Sequence, residues 1–187
     1  MRWWLRSLAV GAGVGFAAGL VIGGVLGRLF MRILTLVQED AVGFETAMGA
    51  IIGDFTAGGT FFIGIFGAGL GLALGLVYSL TRVLLPSRRW IRETTFVFGA
   101  TALLVGLILR VNREDFEFVP VTLSVFLVAG SVALTALPVP LLVERLAPDR
   151  ERHPGPIAAA LVGIALVALG IYAVVGIVDV YSVESIF

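Results

Sequence analysis

Residues 11–27 read GAGVGFAAGLVIGGVLG, with glycine at positions 11, 15, 19, 23 and 27 and two more at 13 and 24. A loose GxGxxG lies inside the run. A dinucleotide loop needs a buried strand ahead of its glycines and an acidic residue about 20 positions on, within a βαβ unit. Here the chain ahead is MRWWLR, basic and aromatic, and no such unit follows, so phosphate binding is set aside. Glycine at every fourth position instead suits a membrane helix, where small residues let two backbones approach closely. A four-residue step advances about 400°, so the line drifts about 40° per glycine and about 160° from Gly11 to Gly27. That drift predicts at least two close partners. The first candidate is the second helix, whose Gly67, Gly71 and Gly75 repeat the spacing; the alternative is a second copy of the chain or a different subunit.

The rest of the chain agrees with a bilayer setting. Of 187 residues, 59% are apolar and 14% charged, and the mean hydropathy is +1.06, far above the soluble range. Uncharged stretches run over 7–27, 55–81, 94–109, 118–143 and 154–178. About 20 residues cross about 30 Å of hydrocarbon; the third stretch reaches that length only with Arg92, Glu93 and Arg110 at its two interfaces. The expectation is an all-α integral membrane bundle, a single transmembrane domain over 1–187, with five helices at about 5–36, 60–85, 90–110, 120–146 and 156–179. Pro86, Pro120, Pro154 and Pro156 punctuate it, and Thr60 is the expected cap of the second helix. MRWWLRSLAV opens like a signal peptide, but its apolar run is longer than the usual 7–15 residues and is read as a retained first helix. Between helices one and two, Phe44, Met48, Ile51 and Phe55 stand at helical spacing with Glu45 and Asp54 off the stripe. They predict a short amphipathic helix, with a bent extension of helix two as the alternative.

Charge sets the expected orientation. The formal net charge is zero and every basic residue is arginine. With the N-terminus in the cytoplasm, nine arginines (2, 6, 82, 88, 89, 92, 145, 150 and 152) face inward and four (28, 32, 110 and 113) outward, which favours N-terminus in and C-terminus out. Trp3, Trp4 and Trp90 fall at the same interface.

Little in the sequence carries chemistry. There is no cysteine, and the one histidine, His153, lies among loop residues, so no metal site, cofactor or catalytic set is assigned. Arg88, Arg89 and Arg92 with Trp90 form a patch suited to anionic lipid headgroups and too small for nucleic acid. Glu93 is read as an interfacial partner of Arg82, Arg89 or a neighbour. Arg28 and Arg32, one turn apart, are either snorkelling anchors or inward-turned charges answered by Asp54 or Glu45. Pro138 and Pro140, in TALPVPLLVERL, are read as a structural kink, with the carbonyls of Leu134 and Ala136 freed and no acid assigned to the break.

The segments GRLFMRIL and IIGDFTAGGTFF, followed by a glycine-rich helix closing at TRVLLP, resemble uncharacterised multi-pass membrane proteins of high-GC bacteria, over about residues 27–86. The resemblance implies a bacterial cytoplasmic (inner) membrane and no activity, and it singles out Arg28, Arg32, Asp54, Thr56 and Thr60 as one polar cluster at the outer face. The leading expectation is therefore a non-enzymatic packing or accessory subunit, associating as a homo-oligomer or within a membrane complex through glycine-rich helix faces. The alternative is a small transporter or channel with the Arg28, Arg32 and Asp54 group as its outer vestibule.

Overall fold

The computed structural model describes residues 2–37, 43, 56–113, 120–148 and 155–184. The described residues form helices and no strand: α1 (Arg2–Ala18), a π-helical turn (Gly19–Gly23), α2 (Gly24–Val37), α3 (Ala57–Thr81), α4 (Arg89–Val111), α5 (Val121–Ala136), α6 (Pro138–Leu146) and α7 (Pro156–Glu184). The first three are one continuous span and α5 with α6 another. Five helices long and apolar enough to cross a membrane result, at Trp4–Val37, Ala57–Thr81, Arg89–Val111, Val121–Leu146 and Pro156–Ser182. The chain is an all-α, multi-pass membrane protein. Asp54, Glu45 and the expected amphipathic helix lie outside the described residues.

Local chemistry sets where the helices end. Thr56 is extended (φ −85°, ψ 148°) and its Oγ1 accepts the Gly59 N–H, satisfying one of the donors that a helix start leaves open. Thr56 is thus the cap of α3, in place of Thr60, which lies in the first turn and donates its own hydroxyl to the Thr56 carbonyl at 2.9 Å. At the other end α3 stops at Thr81, short of Pro86, with Arg82 as its C-cap. Pro120 is the N-cap of α5. The fourth span breaks at Leu137 because neither Pro138 nor Pro140 has an N–H for the residue four positions back.

The first span packs along α3, while α5 and α6 lie between that pair and α4. α4 and α7 run parallel, Gly99 meeting Leu166 and Gly106 meeting Tyr172 and Gly176. The interior falls into two clusters. One, toward Arg82 and Arg92, joins Leu74 and Tyr78 of α3, Phe96 and Leu104 of α4, Val132 of α5 and Val143 of α6. The other, toward the opposite ends of the helices, joins Leu34, Leu109, Val121 and Val180.

Candidate functional site

Among the described residues, the strongest concentration of polar chemistry is where α3 ends, α4 begins and α6 ends. Glu144, on α6, shares a helix face with Val139, Pro140 and Val143, all buried, and is itself 8% exposed. Its Oε1 accepts the Tyr78 hydroxyl at 2.6 Å and its Oε2 accepts Arg92 Nη2 at 3.0 Å. Arg82, 1% exposed, brings Nη1 to 3.9 Å from Oε1 and donates the same group to the Ala147 carbonyl at 2.8 Å. From α1, Arg6 Nη2 donates to the Leu146 carbonyl at 3.1 Å. Two guanidiniums thus cover carbonyls at the C-terminus of α6, where a helix leaves acceptors open and favours cations. Phe96 sits edge-on to the Tyr78 ring, with centroids 4.8 Å apart.

This knot ties three helices, α3, α4 and α6, through one carboxylate, and Arg6 adds α1 through the Leu146 carbonyl. A buried carboxylate without partners is costly, and charge-assisted bonds offset that cost. Glu93, which drew attention in the sequence, belongs to a local pair, accepting Arg89 Nε at 2.7 Å across one turn of α4. Glu144 was the carboxylate to notice: it closes the TALPVPLLVERL stretch, and its four- and five-residue spacing from Pro140 and Val139 puts it on the buried face. Tyr78, one turn before Arg82, was missed with it.

The glycines form a second feature. A Cβ added at Gly11, Gly15 or Gly19 would run into the carbonyl of Gly75, Gly71 or Gly67 respectively, and the converse holds from the α3 side. Backbone therefore meets backbone along an antiparallel seam, and Ser79 Oγ donates across it to the Ser7 carbonyl at 3.0 Å. The 40° drift that ought to carry the stripe away is reset by the π-helical turn, which inserts one residue. Beyond it Gly24 takes up the line over α3, 3.3 Å from Gly64 Cα by its Cβ position, and Arg28 reaches Gly59. Gly23 stands between two helices: its Cβ position is 3.5 Å from Gly67 Cα of α3 and 3.6 Å from Thr135 Oγ1 of α5. The second neighbour of the stripe is therefore α5, entering at Gly23. Gly27 abuts the Ile63 side chain.

Of the outer polar group, Arg28, Thr56 and Thr60 come together. Arg28 Nη2 donates to the Thr56 carbonyl at 3.2 Å, the acceptor that Thr60 also uses. Arg32 is exposed on α2, and Asp54 lies outside the described residues. Near the same level Arg110 stacks over Tyr172 at 4.3 Å from the ring centroid and stands 3.7 Å from Asp179, while the Thr122 and Tyr181 hydroxyls share a hydrogen bond of 2.8 Å. Among the described residues no three His, Cys, Asp or Glu gather as metal ligands.

The class defined by fold and site is a multi-pass helical membrane protein with its polar groups joined helix to helix. No family model matches the chain, and neither a curated protein nor a solved structure does.

Proposed function

We propose that this chain is a non-enzymatic membrane protein of the accessory kind, associating with another membrane helix through the outer face of α7. The observation that carries the reading is the contrast between α7 and the other spans. Only 6% of its most apolar window is buried inside the chain, against 22–39% for the other four. On the other spans Glu144 is engaged within the chain by Tyr78 and Arg92, and Gly11, Gly15 and Gly19 of the first span by the glycines of α3. Gly163 and Gly170 have open space where a Cβ would stand, as Gly13, Gly69 and Gly130 do on other spans, but they lie on the span least buried within the chain. Around Gly170 a shallow apolar groove of about 440 Å³ runs along α7, edged by Phe98. A glycine notch in an apolar helix face is the feature that lets a second helix approach in lipid. The glycine-rich association face is thereby moved from the first helix, where the seam is internal, to the last.

The arginine end lies in the cytoplasm in this reading, against anionic headgroups, with Arg88 and Trp90 exposed there. The resemblance of residues 27–86 supports a bacterial inner membrane in this reading.

The absence of cysteine makes the test direct. Gly170→Cys, treated with a thiol-reactive crosslinker in native membranes, yields an adduct with a second copy or another membrane protein, whereas Phe126→Cys, exposed on α5, does not. No adduct from Gly170→Cys, or equal adducts from both, contradicts the reading. A transporter is the second reading, favoured by the meeting of two interrupted helices at Gly23 and Thr135.

A further inference from the structure

We infer that the π-helical turn of the first span and the proline break of the fourth form one coupled hinge, about which the outer half-spans α2 and α5 tilt against a locked arginine end. The inference is independent of what, if anything, docks on α7. At the first joint the Gly24 N–H passes over the carbonyl four positions back and donates to those of Gly19, five back, and Val21, three back. At the second, Pro138 and Pro140 leave the Leu134 and Ala136 carbonyls without their helical donors. Thr135 also donates its hydroxyl to the Ser131 carbonyl at 2.8 Å, a back-bond that favours bending. Each helix therefore loses regular hydrogen bonding over about one turn, the condition under which helices kink and π turns serve as functional joints.

Position makes the two joints one device. Gly23 and Thr135 face each other, with Gly67 behind, and Thr135 is eleven residues, about 17 Å, in from the end of α6, near the middle of a hydrocarbon layer of about 30 Å. The halves on either side are matched. α1 packs on α6 and bonds to it through Arg6, while α2 packs on α5, with Leu34 and Val121 in one cluster. A bend in one span is thus accompanied by a bend in the other without opening a void between them. Restraint differs at the two ends. Among the described residues the α1–α6 side has the buried ion pairs and hydrogen bond of Glu144 beside the tightest part of the glycine seam. In contrast, α2 and α5 are held by apolar packing around Leu34 and Val121 and by the Gly24–Gly64 approach, their polar ties being the exposed bonds of Thr122 with Tyr181 and Arg28 with Thr56. A hinge with one end fixed and one end loosely tied is the arrangement that domain-scale tilting uses.

Pulsed electron-spin distance measurements on the cysteine-free chain test this. Nitroxides are placed at Leu36 and Phe61 for the outer end and at Leu5 and Leu84 for the arginine end, all exposed, in lipid nanodiscs. The outer pair is expected to give two populations or one broad one, and the arginine-end pair a single narrow one. Deleting Val21, which removes the inserted residue, together with Pro138→Ala and Pro140→Ala, is expected to collapse the outer distribution to one narrow peak; Pro138→Ala alone narrows it in part. A narrow outer distribution in the unmodified chain overturns the hinge, as does equal breadth at both ends. Outer populations that Pro138→Ala and the regularised chain leave unchanged overturn it too.

Discussion

Glu144 and the seam glycines are the residues on which the fold turns, and they fail in different ways. Glu144→Gln removes the charge but not the shape, leaving Arg82 and Arg92 facing each other across a buried amide. Breaking a buried pair from one side costs about 3–5 kcal/mol, expected as an early unfolding midpoint in detergent titration. Tyr78→Phe removes one hydrogen bond to the same carboxylate and costs about 1–3 kcal/mol. Arg89→Gln, at a pair whose arginine side chain is 50% exposed, leaves the midpoint unchanged, because solvent screens the pair. Gly15→Leu drives a side chain into the Gly71 backbone and abolishes a monodisperse folded product on size-exclusion chromatography. Gly13→Leu, where a Cβ meets nothing within 4 Å, stays within about 0.5 kcal/mol of the parent. The seam was partly legible because backbone proximity leaves a compositional mark, one glycine per turn. Glu144 was harder to see. A single carboxylate in a proline-marked stretch is conspicuous only when its helical phase against Val139 and Pro140 is worked out.

The helices were legible as elements, because uncharged stretches of bilayer length leave few alternatives. Their ends and irregularities were less so. Thr56 and Thr60 are both good cap residues, and the choice between them rests on Thr56 being extended while Thr60 is already helical. Thr56→Ala is therefore expected to fray the start of α3 by about 1 kcal/mol, seen as faster amide hydrogen exchange confined to its first turn; Thr60→Ala leaves the Gly59 amide protected. The π-helical turn left no readable signal, since GLVIG is as compatible with an α-helix as with a π turn. Ideal 3.6-residue geometry led to a stripe that winds away from one neighbour, and one inserted residue keeps it there. The pairing of α4 with α7 through Gly106 and Gly176 was also hidden, because two isolated glycines make no stripe.

For the whole molecule, among the described residues, one end is stitched around the buried Arg82 and Glu144, with Arg6 and Arg92, and the other by exposed polar ties. The arginine imbalance predicts that the stitched end lies in the cytoplasm. Ser87→Cys is then expected to react with a membrane-impermeant maleimide only after permeabilisation, and Arg113→Cys in intact cells; the reverse pattern inverts the topology. The central claim is that the glycine stripe of the first helix closes on α3 of the same chain and is not the face offered to a partner. Oxidative crosslinking of Gly24→Cys with Gly64→Cys, at the seam position where a Cβ lies 3.3 Å from the opposing Cα, tests this most directly. The account predicts an internal disulfide in a product of monomer mass, with neither single variant forming a dimer. Disulfide-linked dimers from the single variants, with no internal bond in the double variant, would contradict it.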